Sequence, residues 1–180
     1  MTAAGDEDTD MIQRARVSDE EFRGWVEPLL HRTAAYAFAI VRNREDAEDA
    51  VQEAMLKACL AVDRYDRSQS FKGWFFAIVR NTCRDLLRKH RTNPLRGAAD
   101  VDELPLETLD KRDGMQLKDV LDWALRQLTP AHREILELRY FGDCSYRDIA
   151  ASLNIPLGTV MSRLHAARQA LNVVYRKEVA

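Results

Sequence analysis

The sequence predicts an all-α protein built from two small helical domains. Three observations carry that prediction. Only 7 glycines and 5 prolines interrupt 180 residues, so helix breakers are scarce. Apolar residues recur at the i, i+3, i+4 spacing of amphipathic helices in several separate stretches. Between about residues 93 and 114 that periodicity lapses into Pro94, Gly97, Pro105 and Gly114 mixed with Asp100, Asp102, Glu103, Glu107 and Asp110. Such a composition marks a flexible acidic linker. The chain has room for one average domain or two small ones, and the linker argues for two.

Residues 1–18 carry Asp6, Glu7, Asp8 and Asp10 and read as a flexible acidic tail, the opposite of a signal peptide. No apolar run approaches the roughly 18 residues of a membrane span. Cys59, Cys83 and Cys144 lie far apart without CxxC spacing. They read as small core residues, not as a disulfide or metal set. Together these features predict a cytoplasmic protein. The net charge of −2 is silent about nucleic acid, but its distribution is not.

The first domain, residues 19–92, opens at Ser18, which caps a helix with Glu21 completing a capping box. Phe22, Trp25, Val26, Leu29, Leu30, Ala34, Ala37 and Phe38 form its apolar stripe, and Pro28 separates a lead-in turn from the main helix. A second helix over residues 45–62 reads EDAEDAVQEAMLKACLAV. Ala47, Ala50, Val51, Ala54, Met55, Ala58 and Cys59 face inward. Asp46, Glu48, Asp49, Gln52, Glu53 and Lys57 face outward. An acidic first turn complements the helix dipole, so by itself this face needs no partner.

The third helix, over residues 71–91, reads FKGWFFAIVRNTCRDLLRKHR. Phe71, Trp74, Phe75, Ile78, Val79, Thr82, Leu86 and Leu87 supply its apolar side, with Trp74 and Phe75 assigned to the core. Lys72, Arg80, Arg84, Arg88, Lys89 and Arg91 stand against one acid, Asp85. This local excess of cations is the footprint of a phosphate backbone. Aromatic residues on the same element suit single-stranded DNA, whose bases can be stacked.

The second domain, residues 115–180, begins with a helix over 114–128, with Leu117, Val120, Leu121, Ala124, Leu125 and Leu128 inward. Trp123 lies off the centre of that stripe. Thr129-Pro130 starts the next helix, whose apolar set is Ile135, Leu136, Leu138 and Phe141, with Gly142 as its stop. Ser145 and Asp148 form a capping box for a short helix. Asn154-Ile155-Pro156 makes a tight turn, and a last helix runs over about 156–171 with Val160, Leu164, Ala167 and Leu171 inward. Its outward residues are Thr159, Ser162, Arg163, His165, Arg168 and Gln169, none of them acidic. Two short helices joined by a turn, the second carrying cationic and amide groups, is the layout of a helix-turn-helix that enters the major groove. An ordinary three-helix bundle with a solvated basic face is the structural alternative.

Three stretches carry a resemblance. SYRDIAASLNIPLGTVMSRLHAAR resembles the region 4 signature of extracytoplasmic-function (ECF) sigma factors of bacterial RNA polymerase, typically SYEEIAEILGIPVGTVKSRLHRAR. DAEDAVQEAMLKA is similar to their region 2.2, DAEDLVQETFLRA. FKGWFFAIVRNTCRDLLRK resembles their regions 2.3 and 2.4, FRAWLFRIARNLALDYLRR. Met161, Ala166 and Ala77 depart from positions where the family usually has a basic residue. The matches span roughly residues 22–92 and 115–175, in family order and spacing.

The resemblance implies a sigma region 2 helical bundle and a sigma region 4 helix-turn-helix. It implies that Asp49, Gln52 and Glu53 dock on the β′ clamp helices of core polymerase. Lys72, Arg80, Asn81, Arg84 and Arg88 would bind the melted −10 element. Thr159, Ser162, Arg163, His165 and Arg168 would read the −35 element in duplex DNA. It further implies control by an anti-sigma factor covering surfaces of both domains, a linker threading toward the polymerase cleft, and a chain that is monomeric or bound 1:1 to its inhibitor.

A stand-alone helix-turn-helix regulator would explain the second domain but not the VQEA helix or the basic aromatic helix. An enzyme finds little support, and no cofactor or metal site is expected. His31, His90, His132 and His165 lie on separate elements, and neither a Gly-rich phosphate loop nor an HExxH motif occurs. Asp46, Glu48 and Asp49 could be taken for a magnesium cluster, but a solvated helix start accounts for them more simply.

Overall fold

In the computed structural model the described residues are 17–92 and 113–179, with side chains over 17–91 and 120–177. The acidic tail and most of the linker predicted from sequence lie outside them. Eight α-helices are described: α1 Asp19–Val26, α2 Leu30–Val41, α3 Arg44–Ala61, α4 Phe71–Thr92, α5 Asp113–Gln127, α6 Pro130–Tyr140, α7 Tyr146–Leu153 and α8 Leu157–Val179. No strand occurs among the described residues. Short 3-10 turns at Glu27–Leu29 and Val62–Arg64 link α1 to α2 and follow α3.

Local chemistry sets the helix ends. Ser18 accepts from the Glu21 amide at 3.1 Å, and Asn43 accepts from the Asp46 amide at 2.9 Å. Thr129 accepts from the His132 amide with Pro130 in the first turn. Ser145 and Asp148 make both halves of a capping box at the start of α7. Arg42 and Asn154 end α2 and α7 in the left-handed conformation, at φ 60° and 51°. That conformation frees the last carbonyls for capping bonds.

The core follows from the spacing of small and large residues. Ala47, Ala50, Ala54 and Ala58 are buried along one line of α3, which lets α4 approach closely. Tyr36, Phe75, Phe76 and Val79 fill the space beside it and are fully buried. Burying each such side chain contributes about 1.5–3 kcal/mol. In the second half Ile135, Leu136, Leu138, Ile149, Val160, Leu164 and Ala167 do the same work. The two halves share one continuous apolar cluster, joined where Phe76 of α4 meets Gly142 after α6.

Five positions differ from the sequence expectation, the first being Asp46, which the sequence assigns to the outward face of the second helix but which is buried, 3.4 Å from His90. Cys59 is exposed, because it is turned about 100° from the buried Ala58 on a helix of 3.6 residues per turn. Leu30 and Ala34 are exposed: the 3-10 turn at Glu27–Leu29 resets the helical phase, so the α1 stripe cannot be continued into α2. Leu121 is 40% exposed and lines a surface groove of about 290 Å³ with Tyr140, Arg168, Leu171, Asn172 and Tyr175. The final helix is also longer than the tight apolar pattern indicated, running to Val179.

Candidate polymerase and nucleic-acid interfaces

Three surfaces carry the residues singled out by sequence. On α3, Asp49 and Gln52 are exposed and Glu53 is half-buried. Lys57 pairs with Glu53 at 2.8 Å and donates to Thr82 of α4 at 3.2 Å. The Lys57 hydrogen bond holds the Glu53 carboxyl below its ordinary value. Leu56 and Leu60 continue this face and are 66% and 86% exposed. Sequence reasoning passed over them, although both stand at helical spacing from Gln52 and Glu53 on the outward side. Among the described residues no group of acids or histidines is arranged to hold a metal ion, and Asp46 is turned inward toward His90 at 3.4 Å.

The basic face of α4 is divided. Asn81 and Arg88 are exposed; Arg88 pairs with Asp85 at 2.9 Å. Lys72, Arg80 and Arg84 instead meet the second half of the chain. Lys72 donates to the Asp143 carbonyl at 2.6 Å. Arg80 donates to the Ser152 carbonyl at 2.8 Å and lies 3.5 Å from Glu134. Arg84 pairs with Glu134 at 2.7 Å. Trp74 is half-buried in an aromatic group with Trp25, Tyr65 and Phe71, while Phe75 is fully buried as expected.

The third surface is the helix-turn-helix of α7 and α8. Ser162 and His165 are exposed, and Thr159 and Arg163 are half-buried beside them. Ser162 donates back to the Thr159 carbonyl at 3.2 Å. Arg168 is set apart from this group. It donates to the Tyr140 hydroxyl at 3.0 Å and stacks over that ring, about 140° around the helix from Arg163 at 100° per residue.

Burial controls the titrating groups behind these surfaces. Cys83 and Cys144 are buried, which pushes both thiols up to about 12 and leaves no reactive thiolate. Glu137 of α6 is also buried, and desolvation pushes its carboxyl up to about 7 against the opposing pull of Arg42 and Arg133.

Comparison with known proteins gives these surfaces a family. The Sigma-70 region 2 family matches residues 25–92, and Sigma-70 region 4 matches residues 118–171. RNA polymerase sigma factor SigV of Bacillus subtilis is 32% identical over 143 residues, covering 79% of this chain and 83% of its own. ECF RNA polymerase sigma factor SigL of Mycobacterium tuberculosis is 31% identical over 144 residues, covering 79% and 81%. The chain belongs to the ECF sigma factors. A solved relative, the sigma factor RpoE in complex with the anti-sigma factor NepR from Bartonella quintana, superposes with a TM-score of 0.66 at 25% identity, covering 87% of this chain and 98% of that one. CnrH in complex with the cytosolic domain of CnrY shares the fold at a TM-score of 0.67 and 23% identity. Both regions of an ECF sigma factor are present, which a stand-alone helix-turn-helix regulator lacks.

Proposed function

We propose that this sigma factor binds core RNA polymerase through α3, opens the −10 element on α4 and reads the −35 element with α8. One observation supports the reading above others. A single chain presents, in family order, an outward acidic and amide face on α3, a basic face on α4, and a helix-turn-helix whose Ser162 and His165 face outward. The domains are residues 19–92 and 115–180, joined by the acidic linker at 93–114. Asp49, Gln52 and Glu53 meet the β′ clamp helices. Lys72, Arg80, Asn81, Arg84 and Arg88 hold the melted strand, where cations follow phosphates and an amide can pair with a displaced base. Thr159, Ser162, Arg163 and His165 face the major groove, with Arg168 reaching a flanking phosphate.

The phosphodiester chemistry belongs to the polymerase, so the factor itself is not a catalyst. It acts in the cytoplasm with that enzyme. An anti-sigma factor controls it, as the relative solved in complex with the anti-sigma factor NepR supports. No described helix is long and apolar enough to cross a membrane.

Core binding tests the reading directly. Labelled factor should associate with purified core polymerase, and Gln52→Ala combined with Glu53→Lys should weaken that association at least tenfold while α-helical content is unchanged. Full-strength association of the double variant would remove α3 from the interface. Tight binding to duplex DNA with none to core would contradict the sigma reading.

A further inference from the structure

We propose that this sigma factor masks its own −10 surface: region 4 docks on α4 through a seat at Gly73, closing the two domains on each other without an inhibitor. The inference rests on the assignment of the α4 face to −10 DNA. Three of the five residues in that assignment, Lys72, Arg80 and Arg84, are engaged by α6, α7 and the loop between them. Glu134 alone takes two of them, lying 2.7 Å from Arg84 and 3.5 Å from Arg80. A carboxylate set between two guanidinium groups stands where a phosphate would stand in the DNA complex.

The seat itself is steric. A Cβ at Gly73 would lie 2.6 Å from the Asp148 carbonyl oxygen, 2.7 Å from the Ala151 Cβ and 3.1 Å from the Asp148 Cα. All three atoms belong to α7, and two are backbone, so no side-chain rotation relieves the contact. Gly73 lies in the first turn of α4, where an alanine would favour the helix. A glycine at this position weakens α4 and permits α7 to approach. The family wording quoted above has alanine at the Gly73 position, and glutamate and isoleucine at the positions of Ala151 and Ser152. This chain is therefore smaller on both sides of the contact.

Polar bonds complete the closure. Ser70, which accepts from the Gly73 amide at 3.0 Å, donates to the Asp148 carboxylate. Arg42 at the end of α2 pairs with Asp122 of α5 at 2.5 Å. Single-stranded DNA and region 4 compete for the same face, so the apparent DNA affinity falls by the fraction of molecules that are open.

The test uses the full chain and two wedge variants, Gly73→Ala and the larger Gly73→Gln, with Glu134→Ala loosening the seam from the other side. Domain separation is read by energy transfer between one dye on the exposed Cys59 and another on an introduced Arg147→Cys; buried Cys83 and Cys144 do not label. Affinity is read by anisotropy with a fluorescein-labelled, degenerate single-stranded oligonucleotide. Circular dichroism checks that helix content is retained. The wedge variants should lose energy transfer and bind the oligonucleotide about tenfold more tightly, and adding Arg88→Glu should reverse the gain. If energy transfer is the same in the parent and all three variants, the closed seam is wrong while the −10 assignment stands. If the domains separate without a gain in DNA binding, the −10 assignment fails and masking fails with it.

Discussion

The Ser70 hydroxyl donates to the Asp148 carboxylate, tying the first turn of α4 to the capping box of α7. One side chain thus serves a helix start in region 2 and a contact with region 4. Ser70→Ala removes the cap, worth about 1 kcal/mol, and a hydrogen bond to a charged group, worth about 1.5–3 kcal/mol. Urea denaturation should show a loss of about 2.5–4 kcal/mol. A loss below about 0.5 kcal/mol would mean that the bond carries no weight.

Glu137 makes stability depend on pH. Its carboxyl is raised to about 7 from an ordinary 4.5, so the folded chain prefers the protonated form. The groups around it are Arg42 from α2, Arg84 and Cys83 from α4, Arg133 and Glu134 from α6, and Tyr36 from α2. A raised carboxyl favours folding most below its unfolded value, and that advantage is lost as pH rises from 4.5 through 7. At roughly 1.4 kcal/mol per unit the difference is about 3 kcal/mol. Thermal melts of the parent should fall between pH 5 and 7, and Glu137→Gln should flatten that slope. Equal slopes in the two proteins would reject the assignment.

Tyr36 is fully buried, and its hydroxyl has no hydrogen-bond partner among the described residues. A buried unsatisfied hydroxyl costs about 1–3 kcal/mol. Tyr36→Phe should therefore be neutral or stabilise the chain by about 1 kcal/mol in denaturant melts. Destabilisation by more than 1 kcal/mol would reveal a bond that this geometry lacks.

The two DNA surfaces should separate by mutation. Arg163→Glu should weaken binding to duplex promoter DNA at least tenfold and lower its salt dependence. Asn81→Ala should leave duplex binding within about twofold and reduce open-complex formation, read by permanganate reactivity of unpaired thymines. Normal behaviour of both variants would displace the site assignments while leaving the family unaffected.

Helix order and most helix ends were legible in the sequence, because Ser18, Thr129, Ser145 and Asn154 act through local bonds that a linear reading can see. Asp46, Cys59, Leu30, Ala34 and Leu121 depart from the periodic pattern for a related reason. Periodicity fixes relative faces within one helix, but a single 3-10 turn or a shallow groove changes which face meets a neighbour. The interdomain contacts of Gly73, Arg80 and Glu134 were beyond the sequence. Their partners lie 50 or more residues away, and charge alone made Arg80 and Arg84 look free to meet phosphate. The only trace was Gly73 itself, a weak helix former inside a strongly helical stretch.

Run-off transcription with purified bacterial core polymerase on a pool of genomic promoter fragments, with and without this chain, tests the central claim most directly. Discrete start sites that appear only with the chain, and that align to shared −10 and −35 elements, are the predicted result. No chain-dependent start sites, alongside specific binding to duplex DNA in the absence of core, would contradict it.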